Sequence, residues 1–180
     1  MEGSFKPLRK RMQGDQHYCA RPADVFPLLC PVREKEWLEV WDYRMIWSDS
    51  GLAEDNCIFS TDFPDHGPEL WVVTRFEPPR AIEFVRLARG EQVIRLNVHL
   101  TDNRDGTTTA RWTYIHTGLD PAGNAAVENL AEAAYESRMR MLETVLNHFL
   151  KTGRMLKGVA GDYRQGDSRH VHHRPDGAPR

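Results

Sequence analysis

The stretch ARWTYIHTG, from Ala110 to Gly118, holds residue types that could act on a small molecule. Side chains alternate along an extended strand, so Trp112, Tyr114 and His116 share one face and Arg111, Thr113 and Ile115 the other. Histidine is the natural general base near neutral pH, which makes His116, with Tyr114 beside it, a candidate for moving a proton. The same face reads either as an aromatic core satisfied by its neighbours or as one wall of a pocket. A second candidate is Arg138, at the centre of a helical arc of Ala131, Ala134, Tyr135, Leu142, Val145, Leu146 and Phe149. A guanidinium there must meet a carboxylate, reach solvent or face a cavity open to an acidic ligand. Its planar fork suits a carboxylate or phosphate, and Tyr135 sits on the same arc.

Further wall residues come from WDYRMIW, where Trp41, Tyr43, Met45 and Trp47 alternate with Asp42, Arg44, Ile46 and Ser48. With the aromatic face inward, Tyr43 and Trp47 join Arg138, Trp112, Tyr114, His116 and Tyr135 as the expected ligand-binding set. The small Ala131 and Ala134 beside Arg138 imply unfilled volume. Other chemistry-bearing residues read as bland. Glu54 is a loop carboxylate, and His99 shares the outward parity of Arg95 and Asn97. The cysteines Cys19, Cys30 and Cys57 have no CxxC spacing and are expected reduced and buried. His170, His172 and His173 in HVHH could chelate a metal adventitiously, but no metal site and no cofactor are expected. No nucleophile elbow, phosphate loop or HExxH motif occurs.

These residues need elements to hold them. The segment to Gly14, with Lys6, Arg9, Lys10 and Arg11, reads as a solvated arm leading into a strand near Gln16 to Ala20. Pro22 suits the first turn of a short helix carrying Val25, Phe26 and Leu29, and Pro31 interrupts before a second helix around Glu34 to Leu38. From Trp41 to Thr117 come six runs of β-branched and aromatic residues, broken at SDSG, PDHGP, EPPR, ARG and DNRDG, which predict an antiparallel meander. Asp105-Gly106 marks a hairpin, and Ile94, Leu96, Val98 and Leu100 make a clean inner face. One long helix is predicted from Pro121 to about Lys151, with Asp120 as N-cap and Gly153 as stop. The domain expected is therefore residues 15–156, with an arm at 1–14 and a flexible Gly- and Pro-bearing tail at 157–180.

Composition narrows the classes. A chain of 180 residues, 40% hydrophobic and 28% charged, can bury a real core as one domain. A net charge of −2 gives no general attraction to nucleic acid. No apolar run approaches the roughly 20 residues needed to cross a bilayer, so no membrane insertion is expected. The opening MEGSFKPLRKRM has no apolar signal core, so a cytoplasmic location is expected; a homodimer is left open.

The order strand, two short helices, six-strand meander, long helix resembles the START-like, polyketide cyclase-like (SRPBCC, Bet v 1-like) superfamily that includes the birch pollen allergen. The resemblance rests on ARPADVFPLL, EWLEVW, SGLAEDNCIF and WTYIHTGLDPAG, and covers roughly Gln16 to Leu156. It implies an α+β helix-grip fold, a curved antiparallel sheet of about seven strands around a long C-terminal helix. It also implies a small hydrophobic molecule as partner, a lipid, polyketide or aromatic metabolite held between sheet and helix. Three readings stay open: a binding protein, a cyclase or dehydratase acting in the same cavity, or a co-chaperone-like interaction module. A filled cavity with an exposed apolar patch would favour the last.

Overall fold

The computed structural model describes residues 5–63 and 67–159. Seven strands form one antiparallel sheet: β1 (Arg9–Tyr18), β2 (Arg44–Trp47), β3 (Ile58–Phe63), β4 (Gly67–Glu77), β5 (Ala81–Ala88), β6 (Gln92–Asp102) and β7 (Thr108–Gly118). Their order across the sheet is β1-β7-β6-β5-β4-β3-β2. All six predicted meander runs are strands, and the first strand returns to pair with the last. The β6–β7 hairpin turns through Asn103–Thr107, with Gly106 at φ 86. β1 is longer than its sequence suggests. Its register with β7 runs from Arg9 opposite Thr117 to Tyr18 opposite Thr108, so residues 9–14, read above as arm, belong to the sheet. Only alternate side chains of that stretch face the core, Met12 among them, and the basic residues between them disguise it.

Between β1 and β2 lie α1 (Pro22–Val25), a 3-10 turn (Phe26–Leu29) and α2 (Pro31–Glu34). Pro31 opens the second helix instead of interrupting before it, as a missing N–H costs nothing in a first turn. The predicted long helix is divided into α3 (Pro121–Glu128) and α4 (Glu132–Thr152). Asp120 caps α3 by accepting from the Gly123 N–H, and Gly153, at φ 66, ends α4. α3 presses so closely on the sheet's end that a Cβ on Gly123 would lie 1.9 Å from the Glu91 carbonyl oxygen. Asn124 also clamps the chain before β1, accepting from Leu8 N–H at 2.7 Å and donating to the Lys6 carbonyl at 3.0 Å. The chain turns through Asn129–Ala131 before α4 sets off along the concave face.

Polar contacts fasten α4 to β1. The buried Gln16 donates to the Met139 carbonyl at 2.6 Å and accepts from the Tyr18 hydroxyl. Asn147 accepts from Cys19 N–H at 2.9 Å and donates to the His17 carbonyl at 2.7 Å. Between helix and sheet lies one apolar cluster that includes Leu29, Trp37, Phe59, Trp71, Phe84, Leu96, Trp112, Leu142 and Leu146. The tail predicted at 157–180 lies mostly outside the described residues, as do His170, His172 and His173.

Candidate functional site

β7 places Trp112, Tyr114 and His116 inward, 5%, 6% and 3% exposed, as its alternation requires. Neighbouring strands add Phe59 from β3, Trp71 from β4 and Phe84 from β5. Trp71 stacks on Phe59 with centroids 5.3 Å apart and meets Phe84 edge-on at 5.9 Å. Under α4 these rings enclose a chamber of about 60 Å³, room for a few water molecules. Its polar lining is Glu34, Arg86, Trp112, Tyr114 and Arg138.

Each polar group arrives on a different element. Arg138, half-buried on α4, stands 5.7 Å from the Tyr114 ring centroid and 6.0 Å from that of Tyr135. Arg86 lies over Trp71, 4.8 Å from its centroid, and its Nη1 pairs with the buried Glu69 Oε2 at 3.4 Å. Burial pushes the Tyr114 hydroxyl's pKa upward, while the fields of Arg138 and Arg86 oppose that rise. Glu34, at the end of α2, is half-buried and lines the chamber. Burial alone pushes its carboxyl up to about 8. No ion pair or hydrogen bond to its carboxyl is made among the described residues.

Two N–H donors of this lining are buried without an acceptor: Arg86 Nε and Trp112 Nε1. The Tyr18 hydroxyl neighbours the Trp112 indole, but hydrogen-bonding geometry is not met and the hydroxyl's own proton goes to Gln16.

The expected ligand-binding set divides. Trp112, Tyr114 and Arg138 line the chamber; His116 stacks on Tyr114 at 6.1 Å and Tyr135 donates to the Trp112 carbonyl at 3.4 Å, both behind the lining. Tyr43 packs at the cluster's margin beneath Lys35, whose Nζ is 5.0 Å from its ring centroid. Trp47 is 61% exposed and is no wall residue. A register shift between Met45 and Trp47 in the β2–β3 pairing breaks the alternation that put it inward. The volume attributed to alanines is also corrected: Ala131 is the exposed N-cap of α4 and Ala134 is half-buried, and neither lines the chamber. Of the cysteines, Cys30 and Cys57 are buried but Cys19 is exposed. Glu54 is the expected loop carboxylate, holding Ser48 and the Asp49 and Ser50 amides, and His99 is exposed.

Glu34 and Arg86 had no signal of their own. Glu34 sits in the charged run REKE, and Arg86 in AIEFVRLA, which is apolar on both parities.

No family model and no curated protein matches the sequence. Solved structures do match. Norcoclaurine synthase from Thalictrum flavum, in complex with dopamine and hydroxybenzaldehyde, superposes with TM-score 0.59 at 11% identity, over 81% of this chain and 89% of that one. An uncharacterised protein from Rhizobium leguminosarum gives 0.58 at 15%, over 81% and 97%. A protein of the dynemicin biosynthetic locus gives 0.54 at 18%, over 80% of this chain and 48% of its own. This chain has the Bet v 1-like helix-grip fold. At these identities the helix-grip likeness carries the architecture and leaves the activity to the residues of the chamber. No described helix is long and apolar enough to cross a membrane, and no cluster of metal-ligating side chains occurs among the described residues.

Proposed function

We propose that this protein binds a small, largely aromatic molecule bearing a carboxylate or carbonyl, held between the sheet and α4. The observation that carries this reading is the pair of unpartnered buried donors, Arg86 Nε–H and Trp112 Nε1–H, in an aromatic lining. A buried donor without an acceptor costs about 1–3 kcal/mol, a cost that an oxygen-bearing ligand removes. Arg138 adds a further cation and Tyr114 a hydroxyl, so the lining is rich in donors. Of the two aromatic ligands in the norcoclaurine synthase structure, hydroxybenzaldehyde is an aromatic carbonyl compound of the proposed class, whereas dopamine is an amine outside it.

The chamber's 60 Å³ is below the roughly 300 Å³ floor of ordinary ligand pockets, so binding requires the side chains beneath α4 to part.

Isothermal titration with benzoate and phenylpyruvate, against benzyl alcohol as the neutral counterpart, tests the reading. The acids are expected to bind and the alcohol to bind at least tenfold more weakly. Arg86→Leu and Arg138→Leu should each weaken the acids by about 10- to 100-fold, the worth of a charge-assisted hydrogen bond. Equal affinity for acid and alcohol would remove the carboxylate or carbonyl as the recognised group; no binding of any would remove the small-molecule reading. The interaction-module reading draws on Ile46, Trp47 and Leu52, exposed near the edge strand β2. The buried donors favour the small molecule.

A further inference from the structure

Resting on the small-molecule reading, we propose that the chamber is an enolisation site: the Glu34 carboxylate takes a proton from the carbon next to the bound molecule's carbonyl, whose oxygen is met by donors from Arg86, Trp112 and Tyr114. Glu34 is the acceptor-type side chain in a polar lining otherwise made of donors, and it has neither an ion pair nor a hydrogen bond among the described residues. Its charge is felt at the Tyr114 hydroxyl, so carboxyl and hydroxyl are electrostatic neighbours. The charged and titratable groups around it are Tyr18 on β1, Glu69 on β4, Arg86 on β5, Tyr114 on β7 and Arg138 on α4. Arg86 Nη1 is held by Glu69, which leaves the buried Nε–H for the ligand oxygen.

The step balances without a co-reactant. The C–H bond breaks and its proton forms an O–H bond with Glu34. The C–H electron pair becomes the C=C bond, and the carbonyl π pair moves onto oxygen as an enolate. Donors preorganised for that oxygen stabilise the charge where it develops, and return of the proton closes the cycle. In D2O the returning hydron is deuterium.

Phenylpyruvate, with a carboxylate, a ketone and an acidic CH2 beside a ring, is the probe. Loss of its CH2 proton signal in D2O is followed by NMR, with affinity measured on the same samples by titration. Wild type is expected to exchange at least tenfold above the protein-free rate, rising about tenfold per pH unit and levelling off near pH 8, where Glu34 becomes ionised. Glu34→Gln should bind phenylpyruvate within threefold of wild type and exchange at the protein-free rate. Tyr114→Phe, a second variant that keeps the ring, should lower exchange while retaining the pH profile. Binding without exchange in wild type, or exchange undiminished in Glu34→Gln, would overturn the enolisation site and leave the binding protein standing. Failure of wild type to bind phenylpyruvate or benzoate would overturn both.

Discussion

Glu34 shows how much one side chain can alter a site. It is half-buried at the chamber, and burial raises its carboxyl to about 8 from 4.5. The folded protein therefore keeps a proton that the unfolded chain has already lost over that interval. Stability must fall as pH rises from about 4.5 to 8, and level off above. Between pH 5 and pH 9, wild type is expected to lose on the order of 2 kcal/mol more than Glu34→Gln, a figure reduced for its half-buried position. Thermal denaturation of both proteins at the two pH values checks this, and parallel curves would refute it. The residue was invisible in the sequence for a physical reason. Its neighbours Arg33, Lys35 and Glu36 do turn to water, in the Arg33–Glu36 and Lys35–Asp42 pairs. A charged run reads as a solvated face, and only the seating of α2 against the sheet sends one of its members inward. Trp112 and Tyr114, by contrast, were legible from strand parity alone.

At the scale of elements, regular alternation survived and irregularity did not. β6 and β7 keep their period throughout, so their inner faces match the sequence pattern. β2 is an edge strand with a shifted register, and that shift carries Trp47 out to solvent. The division of the long helix was equally hidden, because AGNAAVENLAEAA has helical composition and no proline. The first segment, α3, is seated on the sheet's end through Gly123. Gly123→Ala is expected to cost about 2 kcal/mol or more, since the obstacle is the Glu91 backbone and not a flexible side-chain tip. Chemical denaturation should show a lower midpoint at unchanged slope. A variant as stable as wild type would mean that α3 does not press on the sheet as described.

For the whole molecule, the connection that matters most is the seam between β1 and β7, which completes the sheet on the side opposite β2. Removal of residues 1–14 separates the two accounts of that segment. If it were a solvated arm, the melt would be unchanged. As half of β1, carrying Met12 into the core and pairing with β7 from Trp112 to Thr117, its loss should abolish cooperative unfolding, read by near-ultraviolet circular dichroism. The basic residues Arg9, Lys10 and Arg11 obscured this strand, because only its partner reveals which side of it is wet. The seam also sets an order of events in time. Arg9 pairs with Thr117, more than a hundred positions along the chain, and Gln16 waits for the carbonyl of Met139. Such distant closures are slow, since loop entropy must be lost before the contact is gained. During synthesis the first strand is therefore left without its partner until nearly the whole sheet has emerged, with Met12 and Tyr18 exposed until then. On this topology the ribosome-bound chain, not the finished protein, is the state most in need of a chaperone.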